Sequence, residues 1–178
     1  NLEMDHADIF DDLAAIERQF HHFVRTVPRT GRIIVNGADQ ALKRVLTQGV
    51  WSPVEAFGVP GAWEAGRADP DGSFEIAWQG RAVGRVRWSQ LGEHNRMNAL
   101  AAVAAARNAG VEPAAAIESL ASFSGVRRRM QVRGNAGGVT VYDDFAHHPT
   151  AIRTTLEGLR QRIGRERILA GLEPRSNT

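Results

Sequence analysis

The sequence predicts an α/β protein in two units: a mixed helix and strand unit over residues 1–124, and the opening βαβ of a parallel sheet over residues 125–178. Three observations carry this expectation. Apolar residues recur at helical spacing in several stretches. Phe74, Ile76 and Trp78 alternate with Glu75 and Ala77, as on a half-buried strand. Beyond Gly125, strand, loop, helix and strand patterns follow one another.

Taken in order, Asp5 to Asp8 places acids in the first turn of a helix. It continues through Ile9, Phe10, Leu13, Ile16, Phe20, Phe23, Val24 and Val27, and Pro28 closes it. Arg32 to Val35 reads as a short strand ending at Asn36-Gly37, and Ala41, Leu42, Val45 and Leu46 mark a short helix. After Trp51 the pattern turns to strands. The turn Asp69-Pro70-Asp71-Gly72 feeds a hairpin in which Gln79-Gly80 sends the chain back toward Val83, Val86 and Trp88. An alanine-dense helix over Asn95 to Asn108 suits close packing on a sheet, and Gly110 ends it. A further helix spans Pro113 to Phe123. Gly125 and the Arg127-Arg128-Arg129 cluster form the junction, followed by a strand (Val139 to Tyr142), a helix (Pro149 to Ile163) and a strand (Ile168 to Leu172).

The chain is long enough to bury a real core. The absence of Cys excludes disulfides and thiolate metal sites. No apolar run approaches the roughly 18 residues of a membrane span and no signal peptide is visible, so a cytoplasmic protein with no membrane partner is expected. The positive charge is nearly all arginine, and acids balance it to a net +2, which argues against a general nucleic-acid surface. The chain starts without Met and stops just after an expected strand, as a piece of a longer protein would.

Several residues are candidates for chemistry. Gly92 turns the chain so that His94, Asn95 and Asn98 arrive at a helix start, where an Asn amide can donate to a ring nitrogen and accept from an exocyclic amine. The same residues are also ordinary caps and turn formers. His6, beside Asp5 and ahead of Asp8, could reach a divalent ion with a carboxylate orienting it; the acids could equally cap a helix. The arginine cluster is either an anion clamp or a solvated loop. Asp144 lies where a strand gives way to loop, the place at which open α/β sheets bind ligands. Asp143 and Asp144 also suit a turn ahead of a helix beginning near Pro149. His147 and His148 are candidates for a cap, a general base or a substrate contact, with His147 the preferred functional one.

In order and spacing, Asn1-Leu2-Glu3-Met4-Asp5-His6, Leu91-Gly92-Glu93-His94-Asn95-Arg96-Met97-Asn98-Ala99, Gly125-Val126-Arg127-Arg128-Arg129-Met130 and Val141 to Thr150 resemble the Mur ligase family, ATP-dependent amide-forming enzymes of cell-wall synthesis. The resemblance spans nearly the whole chain. It implies a fragment of the central ATPase domain followed by the first βαβ of a Rossmann-like C-terminal domain. It implies ATP and Mg2+, with Asn95 and Asn98 on adenine, His94 beside them, Asp144 on the ribose and Arg129 on the phosphates. Arg129 and His147 would be catalytic; His148, Arg175 and Asn177 would hold the amine substrate; His6 would ligate magnesium with Asp5 behind it.

Many members of the family place a modified lysine on the helix after this histidine. The only lysine here, Lys43, lies far beyond that helix, which resembles the branch acting on UDP-N-acetylmuramate. Asp8 to Leu13, Phe20-His21-His22 and the terminal Leu172 to Thr178 block look most like the recycling branch, which adds the murein tripeptide L-Ala-γ-D-Glu-meso-diaminopimelate. Alanine addition is the second reading; relatives of that type usually carry a His-Arg pair after the proline where this chain has Arg175-Ser176. Gln131 stands where relatives commonly carry an acid. The chain has no G-x-x-x-x-G-K-[ST] phosphate loop, so this piece alone is expected not to catalyse. A non-catalytic nucleotide-binding or interaction module is the reading of another class.

Overall fold

The computed structural model describes residues 1–173. Its first unit is built on a mixed five-stranded sheet of β1 (Ile33–Asn36), β2 (Val54–Phe57), β3 (Trp63–Ala65), β4 (Phe74–Trp78) and β5 (Arg81–Val86), in that spatial order. β1, β2 and β3 run parallel; β3, β4 and β5 pair antiparallel. The helices are α1 (Leu13–Val24), α2 (Gln40–Thr47), α3 (Glu93–Asn108) and α4 (Pro113–Leu120).

Side chains of successive strand residues point to opposite faces, and β1 uses this to join two cores. Ile34 packs with the cluster of Trp63, Phe74, Ile76, Val86, Ala99, Leu100, Val103, Ala104 and Ile117, beneath α3 and α4. Ile33 packs with Leu2, Ile16, Val24, Ala41 and Val45, beneath α1 and α2. The alanines of α3 allow the close approach expected of them, since Ala99 and Ala104 are buried against the sheet. The hairpin of β4 and β5 turns at Gln79-Gly80 as its sequence requires, with Gly80 at φ 73.

The second unit consists, among the described residues, of an antiparallel pair, β6 (Gln131–Ala136) and β7 (Val139–Asp143), followed by α5 (Pro149–Ile163). Three features differ from expectation. The first helix begins at Leu13 rather than near Asp8, because His6 takes a left-handed φ of 55 and the chain turns there, with the amides of Ile9 and Phe10 both donating to the His6 carbonyl. Asp12 is the true cap, accepting from the Ala15 amide at 2.7 Å. The helix also ends at Val24, short of Pro28; Ile9 and Phe23 are exposed, so the apolar spacing overran the buried stripe. β6 is an addition that its alternation of Arg133 and Asn135 with small residues concealed. Ile168 to Leu172 forms no strand: among the described residues β7 pairs with β6 alone, and the segment after α5 makes no ladder with its other edge.

Phe74 is fully buried and meets the Trp88 ring edge-on at a centroid distance of 6.2 Å. Phe74→Ala should lower the unfolding free energy of the first unit by about 3–5 kcal/mol. Denaturant titration followed by tryptophan fluorescence of the full-length protein checks this.

Candidate functional site

The two units enclose a cleft of about 1370 Å³. Its walls come from the N-terminal segment, the loop entering α3, the first turns of α3, the junction around Gly125 to Val132, and the start of α5. His94, Asn95, Asn98, Arg129, Asp144 and His148 all line it. Sequence positions more than fifty residues apart are thus brought onto one surface.

Gly92, at φ 86, is the residue before α3, and its carbonyl accepts from the amides of Asn95 and Arg96. Asn95 is fixed by donating from Nδ2 to the Leu91 carbonyl at 2.7 Å, and its Oδ1 accepts from Asn98 Nδ2 at 3.3 Å. This pairing orients Asn98 and leaves its Oδ1 as an acceptor for an amine-bearing ring edge. His94 Nδ1 is buried without a hydrogen-bond partner among the described residues. Burial pushes the His94 pKa below its ordinary value; Arg129 adds to the depression, while Asp144 and Glu93 oppose it. A buried acceptor or donor left unmet is costly, so this edge of the cleft suits a polar ligand.

Asp144 is committed on both oxygens: Oδ2 accepts from the Met130 amide at 2.7 Å and Oδ1 from the Ala146 amide at 2.8 Å. These bonds hold the junction, where Arg128 and Met130 adopt left-handed φ of 59 and 48. Gln131 helps, its Oε1 accepting from the Arg128 amide at 3.1 Å. The glutamine at this position therefore caps a strained turn. A carboxylate has lone pairs beyond two bonds, so Asp144 retains capacity for a ligand hydroxyl. Arg128 and Arg133 both approach Asp143, at 3.6 and 3.5 Å. Arg129 has no carboxylate within ion-pair distance among the described residues and faces the cleft, its guanidinium 5.9 Å from the Phe145 ring centroid.

The remaining candidates are placed less centrally. His147 is outside the cleft wall, with Nδ1 2.9 Å from the Phe145 carbonyl and its ring against Phe145. His148 caps α5, accepting from the Thr150 amide at 3.3 Å, while its Nε2 donates to the Met4 carbonyl at 3.0 Å. His6 is exposed, with Nε2 3.8 Å from Asp5 Oδ2; Asp5 lines the cleft and His6 does not. No group of three or more side chains suited to a metal occurs among the described residues. Arg175 and Asn177 lie outside the described residues. Sequence reasoning passed over Glu3, Gln90 and Thr150, which also form the wall. Thr150 was legible as the residue after an X-Pro helix start; Glu3 and Gln90 carry no local signal.

The model of the Mur ligase middle domain matches residues 1–106, and that of the Mur ligase, glutamate ligase domain, matches residues 128–177. The chain therefore belongs to the Mur ligase family. It is 56% identical over 180 residues to the UDP-N-acetylmuramate--L-alanyl-gamma-D-glutamyl-meso-2,6-diaminoheptandioate ligase of Escherichia coli, covering 100% of this chain and 39% of that protein. It is 35% identical over 178 residues to the UDP-N-acetylmuramate--L-alanine ligase of Lawsonia intracellularis, covering 98% of this chain and 39% of that one. The crystal structure of a murein peptide ligase from Psychrobacter arcticus superposes with a TM-score of 0.71 at 44% identity, over 95% of this chain and 36% of that one. The chain thus spans about two fifths of the length of these relatives.

Because the fold favours neutral His94, its contribution to folding stability is fully present above the ordinary histidine pKa of about 6.5 and declines as pH falls from there through the lower folded value. His94→Gln should flatten that part of the pH profile. An NMR titration placing the His94 midpoint at or above the ordinary value would contradict this.

Proposed function

We propose that the parent protein joins L-Ala-γ-D-Glu-meso-diaminopimelate to UDP-N-acetylmuramate in an ATP-dependent reaction, as part of peptidoglycan recycling in the bacterial cytoplasm. The observation that carries this reading is the convergence of His94, Asn95, Asn98, Arg129 and Asp144 on one cleft. Identity of 56% to a relative named for that reaction supports it against alanine addition, whose named relative is 35% identical. In this reading residues 1–124 belong to the central ATP-binding domain and residues 125–178 open the amine-substrate domain.

A carboxylate is a poor electrophile because an oxide would have to leave. ATP supplies the phosphoryl group that makes it an acyl phosphate, open to attack by the peptide amine. The protein's part is positioning and charge neutralisation. Asn98 and Asn95 would read the adenine edge, His94 would pack beside it, Asp144 would accept from ribose hydroxyls and Arg129 would face the phosphates. His147 is the proposed base, and His148, Arg175 and Asn177 the proposed contacts to the peptide. His6 with Asp5 offers too few donors to hold a magnesium ion alone. Mg2+ prefers oxygen and keeps waters, so the pair fits an ion that arrives on the nucleotide, where it would neutralise phosphate charge.

Three measurements on the full-length protein test the reading. In competition between the tripeptide and L-alanine, with UDP-N-acetylmuramate and ATP present, the tripeptide should be consumed first; preference for L-alanine would move the protein to the other branch. Asn98→Ala should raise the ATP requirement by an amount equivalent to about 1–3 kcal/mol. His6→Ala should raise the magnesium concentration for half activity, and a loss of turnover without that shift would remove His6 from the metal.

A further inference from the structure

Gly158 stands in the middle of α5, where glycine weakens a helix and alanine would favour it. It is one of the two buried residues of that helix, with Leu159. A Cβ at position 158 would lie 2.9 Å from Gly92 Cα, 3.1 Å from Gly92 N and 3.4 Å from the Leu91 carbonyl carbon. The first two are closer than ordinary contact and both are backbone, so neither can swing aside. From the other side, a Cβ on Gly92 would lie 3.4 Å from Gly158 Cα and 3.0 Å from the His94 ring. The backbones of the two units therefore touch here with no side chain between them. The contact falls on the turn that carries His94, Asn95 and Asn98 into the cleft.

We infer that Gly158 is a positioning residue that sets the width of the nucleotide cleft. Its bare backbone lets α5 seat on the Gly92 turn, holding Arg129 and Asp144 of the second unit opposite His94, Asn95 and Asn98 of the first. Other ties across the units lie toward the start of α5 and the junction: His148 to the Met4 carbonyl, Thr150 Oγ1 to Glu3 at 2.6 Å, and Gly125 against the Gln90 side chain. A side chain at 158 would act as a wedge at a different point from these ties and tilt α5 away from α3. The low His94 pKa is consistent with this seat, since burial is its largest cause. The inference rests on the nucleotide reading of the cleft for its functional consequence, but not for the seat itself.

The test uses the full-length protein with Gly158→Ala and Gly158→Val, and Gln161→Ala on the exposed side of the same helix as control. Spin labels at the exposed Arg18 and Glu166 report the distance between units. Gly158→Ala should shift that distance and weaken binding of a non-hydrolysable ATP analogue about tenfold, the scale of an overpacked contact. The KM for ATP should rise more than kcat falls, and the melting temperature should stay level or increase. Gln161→Ala should change none of these. A folded Gly158→Ala protein with unchanged distance and unchanged nucleotide affinity overturns the inference, as does loss of binding that follows only from a lower melting temperature. If Gly158→Val does not fold, the alanine variant decides. If the unaltered protein binds no ATP analogue, the nucleotide reading fails, and the distance shift alone still decides whether Gly158 is the seat.

Discussion

Gly92 holds a φ of 86, and that backbone angle organises the cleft from three sides. A left-handed residue there ends the extended run after β5 and starts α3 at once, so His94, Asn95 and Asn98 occupy the first turns of the helix. The carbonyl of Gly92 takes two amides of that first turn, the opening bonds of α3. The absence of a side chain leaves room for the His94 ring on one side and for the α5 backbone on the other. A Cβ at 92 would strain the angle, press on the His94 ring and reach contact with the α5 backbone. A substitution there would reach the start of α3, the cleft-lining side chains it carries and the contact with α5 together.

The junction shows a second constraint. Arg128 and Met130 adopt angles that L-residues with side chains seldom take, and such strain persists only when surrounding bonds overdetermine it. Asp144 accepting from Met130 and Ala146, Gln131 accepting from Arg128, and the Phe145 amide donating to the Arg128 carbonyl supply those bonds. Their effect is to turn Arg129 into the cleft while Arg128 turns toward Asp143. Of three consecutive arginines that look equivalent in sequence, Arg127 and Arg129 line the cleft while Arg128, the one with a left-handed φ, pairs with Asp143.

The sequence made most of the first unit legible because its signals are local. Phe74, Ile76 and Trp78 alternate as a half-buried strand must, Gln79-Gly80 is a hairpin turn by its chemistry, and the α3 alanines are followed by a left-handed Gly110. The start of the first helix was misread because Asp5, Asp8 and Asp12 are all plausible caps, and only the left-handed turn at His6 selects among them. β6 was hidden because its residues are largely polar and exposed, so neither apolar alternation nor β-propensity marks it. In the site, the Asn95 and Asn98 pair was visible as a helix-start pattern. The involvement of Glu3 and Gln90 was not, since each matters only through residues more than thirty positions away.

The two adjacent histidines illustrate how hydrogen bonding assigns roles that residue type cannot. His148 Nδ1 accepts from the Thr150 amide, so that nitrogen carries no proton; the proton sits on Nε2 and is donated to the Met4 carbonyl. Glu3 approaches the same Nδ1 at 3.7 Å, beyond hydrogen-bond distance, and its carboxylate is instead taken up by Thr150 Oγ1 at 2.6 Å. Removing this imidazole would loosen the first turn of α5 and its hold on the N-terminal segment together. His147 is the opposite case. Its Nδ1 donates to the Phe145 carbonyl, so Nε2 is the nitrogen left for any proton exchange. Its ring lies outside the cleft wall, so the chemistry suited to a base and the position suited to substrate belong to different histidines.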